Sequence, residues 1–143
     1  MAFDRSHSAT YLAGQLAKGF ARSLNARSAE LGFSPGQFPV LLELWQEDGL
    51  TQKQLLDRLD VEQATLANTL SRMQRDGLID RRQHPHDKRA QVISLTDLGR
   101  ELENRAVTAA AEADDALFAG FRQFERELMI EYMRKIVETA RRG

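Results

Sequence analysis

The stretch Gly77-Leu78-Ile79-Asp80-Arg81-Arg82-Gln83-His84-Pro85-His86-Asp87-Lys88-Arg89-Ala90-Gln91-Val92-Ile93-Ser94-Leu95-Thr96 decides how the rest of the chain is read. Two short runs with alternating apolar residues flank a turn-forming tip, Pro85 to Arg89, which is the pattern of a β-hairpin. The tip has nothing apolar to bury, so its charge is free to meet a polyanion. Asp76 and Gly77 end the segment before it, which runs from Glu62 and has helical periodicity. A helix followed at once by a basic hairpin is the order of a winged helix-turn-helix.

Charge is concentrated around this stretch. The 143-residue chain has a net charge of −1, which excludes a uniformly basic nucleic-acid coat. Between residues 71 and 94, however, Arg72, Arg75, Arg81, Arg82, Lys88 and Arg89 face only Asp76, Asp80 and Asp87. A positive patch on an otherwise acidic body suits a protein that meets phosphate with one face.

Upstream, Thr51 and Gln54 have the spacing of a capping box and open a short helix through Leu59, with Leu55, Leu56 and Leu59 inward. A break at Asp60-Val61 precedes the helix expected over residues 62–76. Two short helices joined by a tight turn are a helix-turn-helix candidate. On the second, Leu66, Leu70 and Met73 share one side. Ala64, Thr65, Asn68, Ser71, Arg72 and Arg75 then face away. Small and hydrogen-bonding side chains on that arc permit entry into a major groove, where long acidic ones would obstruct it.

The flanks are helical. Leu12, Leu16, Phe20, Leu24 and Leu31 mark an amphipathic helix from about Ser8 to Leu31, in which Gly14 and Gly19 would permit close approach of another helix. Ser34 as cap, Pro35 at the first helical position and Gln37 three residues after the cap predict a second helix to about Asp48, with Phe33 and Phe38 as a hydrophobic staple. Pro39 then falls awkwardly, just past the first turn. Thr96 is expected to cap one long helix to about Ala119, with a seam of Leu98, Leu102, Ala106, Ala109, Ala113 and Leu117. A last helix, about Arg126 to Arg142, carries Leu128, Met129, Tyr132, Met133, Ile136, Val137 and Ala140. The outer helices hold more apolar surface than a small reading unit needs, which implies a helical dimer interface.

The fold class is therefore mainly α with a small β wing: a winged helix-turn-helix lobe over residues 34–95, and helical dimerisation regions at 1–33 and 96–143 of a single domain. The runs of apolar residues are too short to span a membrane, and the N-terminus lacks the pattern of a signal peptide, so a cytoplasmic location is expected. The sequence holds no cysteine, which excludes a thiol nucleophile or thiol redox switch. His84 and His86 have no accompanying ligand set for a metal, and no nucleophile motif, phosphate loop or paired-carboxylate site is evident. No enzyme activity, cofactor or metal is expected.

Taken in order, Phe33-Ser34-Pro35-Gly36-Gln37-Phe38, Glu62-Gln63-Ala64-Thr65-Leu66 with Thr69-Leu70, Arg75-Asp76-Gly77-Leu78-Ile79, and Asp87-Lys88-Arg89 with Ile93-Ser94-Leu95-Thr96 resemble the MarR family of bacterial transcription regulators, in particular its SlyA-like members. The resemblance implies a homodimer on double-stranded DNA with a pseudo-palindromic operator; repression is expected because a compact dimer has no evident polymerase-contacting segment, activation by displacing another DNA-bound protein being the other outcome. It implies that Gln63, Thr65, Asn68, Ser71 and Arg72 lie on the recognition helix and that Arg81, Arg82, Asp87, Lys88 and Arg89 form the wing. Arg89 would enter the minor groove, with Asp87 holding the wing. SlyA-like members often carry arginine where this chain has Asn68; arginine favours guanine, whereas asparagine pairs with adenine. The family also implies release by a small aromatic effector, for which Tyr11, Phe33 and Trp45 are the candidate pocket residues. The alternative is a winged-helix protein-interaction module that does not bind DNA.

Overall fold

The computed structural model describes residues 2–143. Seven α-helices and one small sheet follow in the order α1 (Ala9–Ser28), α2 (Phe38–Gln46), β1 (Leu50–Thr51), α3 (Gln52–Leu59), α4 (Gln63–Arg75), β2 (Ile79–Gln83), β3 (Gln91–Leu95), α5 (Asp97–Glu101), α6 (Glu103–Leu117) and α7 (Gln123–Arg142).

The lobe from α2 to β3 surrounds a core of leucines. Leu41, Leu44, Leu50, Leu55, Leu66, Leu70, Met73, Leu78, Ile79 and Ile93 are all sealed from solvent. Each such side chain contributes about 1.5–3 kcal/mol by leaving water. The core therefore holds α3 and α4 on the sheet mainly through their inward faces.

The expected two-stranded wing is a three-stranded antiparallel sheet in the order β1-β3-β2. β2 and β3 pair from Ile79 opposite Leu95 to Gln83 opposite Gln91. β1 is only two residues long, Leu50 opposite Ile93 and Thr51 opposite Val92, too short for periodicity to reveal. Asp48 pins this edge, its Oδ1 accepting from Gly49 N (2.9 Å) and Leu95 N (2.9 Å).

Ser34 does not open α2. Residues 34–37 form tight turns, Gln37 N donating to Ser34 O (3.0 Å) and Phe38 N to Pro35 O (3.3 Å), and the helix begins at Phe38. Half of the capping box survives, since Gln37 Oε1 accepts from Ser34 N at 3.0 Å. Pro39 thereby falls in the first turn of α2, where its missing N–H costs nothing. The staple forms as expected: the Phe33 and Phe38 rings stack at 5.8 Å.

The long helix expected after Thr96 is broken. α5 ends at Glu101, and α6 starts at Glu103 after a bend at Leu102. Leu102, Ala106, Ala109 and Ala113 are buried as the seam requires, but Leu98 is 48% exposed and Leu117 43%. On the short α5 the inward position belongs to Gly99, whose carbonyl accepts from Trp45 Nε1 at 2.9 Å. Phe118 takes the buried place beyond Ala113, against Phe20 (5.9 Å) and Phe121 (5.1 Å).

α1 packs along α6, where Ser23 Oγ donates to the Ala113 carbonyl at 2.9 Å. Gly14 and Gly19 have open space beside them and bring no helix close within the subunit. No residue of α7 is buried. Among the described residues, no helix is long and apolar enough to cross a membrane.

Candidate nucleic-acid interface

The corner between α3 and α4 is built by local chemistry. Thr51 Oγ1 accepts from Gln54 N (3.1 Å) while Gln54 Oε1 accepts from Thr51 N (2.8 Å), completing the capping box. Asp60 ends α3 in the left-handed region (φ 53°), a conformation aspartate tolerates better than most residues. The chain then turns directly into α4.

On α4, Leu66, Leu70 and Met73 face the core, while Gln63, Ala64, Thr65, Asn68, Ser71, Arg72 and Arg75 are exposed. The expected recognition residues thus share one solvent-facing arc. No acidic side chain lies on that helix.

The wing carries charge on a tip organised by hydrogen bonds. His84 N donates to Ala90 O (2.9 Å), and Gln83 Nε2 to Lys88 O (2.9 Å). Asp87 turns the tip: its Oδ1 accepts from Arg89 N (3.0 Å), and its carbonyl from Ala90 N (3.1 Å). Arg89 Nε lies 3.4 Å from the same carboxylate, but its side chain is 93% exposed. An ion pair so open to water contributes little, so the guanidinium is free to exchange it for phosphate or a groove. Lys88 and Arg82 are exposed beside it.

Arg81 sits differently. Its Nε donates to Gln74 Oε1 at 2.8 Å and its terminal nitrogen to Ser71 Oγ at 3.3 Å. It bridges wing and recognition helix, and it occupies one of the expected reading residues, Ser71.

Wing tip and recognition helix meet across an open cleft of about 640 Å³. Its walls include Gln63 from the first turn of α4, Asp87 and Arg89 from the wing, and Gln52 and Lys53 from the start of α3. Gln52 and Lys53 were not singled out in the sequence; only the pairing of β1 with β3 brings them opposite the wing.

Of the three aromatic residues considered for an effector pocket, Phe33 is 3% exposed and belongs to the lobe core. Trp45 is tied to Gly99 and packs on Phe38 at 6.2 Å. Tyr11 lies on the open part of α1, 38% exposed, with Arg5 over its ring at 5.8 Å. Phe33 and Trp45 share Phe38 as neighbour, and Tyr11 is not among those contacts.

A second surface is apolar. Leu12, Leu16 and Phe20 of α1 line a groove of about 920 Å³ with Phe124, Leu128, Tyr132, Ile136 and others of α7. Ile136 is 68% exposed and Val137 53%.

Fold and site are those of a winged helix-turn-helix protein. The sequence pattern of the MarR family matches residues 33–90. Over 78 residues the chain is 37% identical to the organic hydroperoxide resistance transcriptional regulator of Bacillus subtilis (strain 168), a match covering 54% of this chain and about half (53%) of that relative. The crystal structure of MarR superposes with a TM-score of 0.84 at 26% identity, covering 99% of this chain and 97% of the other. The PcaV transcriptional regulator from Streptomyces coelicolor, in complex with its natural ligand, gives a TM-score of 0.86 at 26% identity over 98% and 99% of the two chains. The chain is thus similar to MarR-family proteins, in sequence pattern over residues 33–90 and in fold over nearly its whole length.

Proposed function

We propose that the protein works in the cytoplasm as a homodimeric repressor, each lobe reading one half of a pseudo-palindromic operator in double-stranded DNA. One observation carries this reading: α4 exposes a small, polar arc free of acidic side chains, and Gln63 in its first turn shares a cleft with the exposed Arg89 of the wing tip. Gln63, Thr65, Asn68, Ser71 and Arg72 enter the major groove, while Arg89 probes the minor groove, where a narrow groove strengthens the negative potential. Arg82 and Lys88 neutralise phosphate. Asp87 holds the tip, consistent with its two accepted hydrogen bonds.

The apolar groove between α1 and α7 supports the dimer, because exposed stripes of this size mark association surfaces. Two-fold pairing presents two recognition helices one DNA turn, or a multiple of it, apart. PcaV is described with a natural ligand; for this chain we propose release by a small aromatic effector near Phe33 and Trp45, with Tyr11 as a further candidate. The sequence has no cysteine, so peroxide sensing through a thiol is excluded.

Selection of bound sequences from a random duplex pool, followed by a salt titration, tests the proposal. An inverted repeat among the winners and a steep fall of affinity with salt are expected. A flat salt dependence and no enriched repeat would instead identify a protein-interaction module.

A further inference from the structure

Gln37 and Ser28 are the buried polar side chains among the described residues, and Gln37 is 4% exposed. Its amide faces two ways. Oε1 accepts from Ser34 N (3.0 Å), in the turn that joins α1 to α2, and Nε2 donates to Asp76 Oδ2 (3.0 Å), at the end of α4. Asp76 caps the recognition helix, its N–H donating to Arg72 O at 2.9 Å, and its second oxygen accepts from Arg75 Nε at 3.1 Å. The Gln37 amide is the larger reason why the Asp76 carboxyl lies below its ordinary range, with Arg75 adding to it.

We propose that Gln37 is a positioning residue which fixes the pitch of the recognition helix against the dimerisation helices, and with it the half-site spacing a dimer reads. The geometry separates this contact from the packing around it. Leu66, Leu70 and Met73 hold α4 by apolar contact, which is non-directional and tolerates small rotations. A hydrogen bond does not: it weakens steeply once lengthened or bent, and a buried amide left unpaired is costly. The bond also lies at the far end of the helix from Gln63 and Thr65. Thirteen residues make α4 roughly 20 Å long, so a small tilt about its core residues displaces the reading end. The turn that holds Gln37 is continuous with α1, since Gly32 N and Phe33 N both donate to Ser28 O. One amide therefore links the end of α1 to the end of α4. This inference rests on the DNA-reading function only for its spacing consequence; the fixed pitch is a property of the subunit itself.

The test uses the full chain and four forms: wild type, Gln37→Glu, Asp76→Asn and the double variant. Gln37→Glu sets two carboxylates against each other. Asp76→Asn leaves an acceptor for the amide. The double variant restores one donor and one acceptor with roles exchanged. Because the chain lacks cysteine, spin labels at Ala64→Cys and Glu112→Cys report the distance from α4 to α6 when labelled chains are diluted with unlabelled ones. A narrow distribution is expected for wild type, Asp76→Asn and the double variant, and a broad or shifted one for Gln37→Glu. On inverted repeats whose centre is lengthened or shortened by one base pair, wild type should favour the selected spacing by about tenfold, as one lost directional contact implies. Gln37→Glu should lose that preference while keeping the salt slope on random DNA, and the double variant should regain it. A folded Gln37→Glu chain with an unchanged distance distribution overturns the proposal, as does a folded double variant that fails to narrow it. Failure of wild type to bind DNA would strike the proposed function alone, since the distances are read without DNA.

Discussion

Gly99 lies directly against the backbone carbonyl of Leu78, so that a methyl group on its Cα would fall on the carbonyl oxygen and press on Leu95 as well. This contact fixes α5 onto the base of the wing. It is reinforced by Thr96, whose hydroxyl donates to Gly77 O (2.6 Å) and accepts from Gly99 N (3.1 Å).

Gly99→Ala is accordingly expected to destabilise the fold by about 1–3 kcal/mol or more, the usual cost of overpacking a rigid site. The obstacle is main chain and cannot rotate aside. Urea unfolding measures it; a midpoint equal to that of wild type would show that the base of the wing yields.

On the wing, Arg89→Ala should weaken binding to the selected operator with no change in melting temperature, because the side chain is almost wholly exposed. Arg82→Ala and Lys88→Ala should each lower the slope of log affinity against log salt by about 0.9. Arg81→Ala should differ, destabilising the protein as well, since Arg81 holds Gln74 and Ser71. Equal effects from all four, on both binding and melting, would contradict the separation.

Asn68 is exposed on the reading arc, and its amide pairs best with adenine. Asn68→Ala is expected to relax discrimination at one position per half-site by about 1–3 kcal/mol. Binding across a base-substitution series reads this directly, and a loss equal for every base would leave Asn68 with a positional role only.

Ile136→Glu places a charge in the most exposed part of the α7 stripe. We expect it to shift the protein from dimer to monomer in sedimentation and to lower operator affinity by more than it lowers affinity for a single half-site. A dimer of wild-type strength would move the interface elsewhere.

Asp114 lines a cleft with Phe20, Phe118, Arg134 and Glu138. Burial pushes its carboxyl above the ordinary value of 3.8; Arg126 opposes this and Asp115 adds to it. A folded-state pKa above the unfolded one means that the stabilising contribution is present below 3.8 and lost as pH rises through the folded value. At pH 7 the partly desolvated charge is therefore a penalty. Asp114→Asn should raise the melting temperature at pH 7, with the gain fading as pH falls through the folded value and gone below 3.8. A gain that is constant over that range would point to packing instead.

Much of this was legible in the chain. The capping box at Thr51 and Gln54, the inward Leu66, Leu70 and Met73, and the hairpin from Ile79 to Leu95 are all set by contacts within a few residues, and sequence periodicity reports such contacts directly. The start of α2 departs from the pattern because Ser34 and Gln37 satisfy the capping spacing while only the Gln37 half forms, the Gln37 backbone N–H turning to the Ser34 carbonyl instead of its hydroxyl. The continuous helix after Thr96 failed because Gly99 is drawn inward by Trp45 and Leu78.

The sequence by itself determined the order of helices and wing, the inward face of α4 and the positive patch, because local hydrogen bonding and the burial of apolar stripes need no distant partner. Only the tertiary structure decided that β1 joins the sheet, that Gln52 and Lys53 face Arg89, that Arg81 is spent on α4, and that Gln37 reaches Asp76. Each of these depends on a hydrogen bond or approach between separate elements, and a directional contact of that kind leaves no periodic trace in either element.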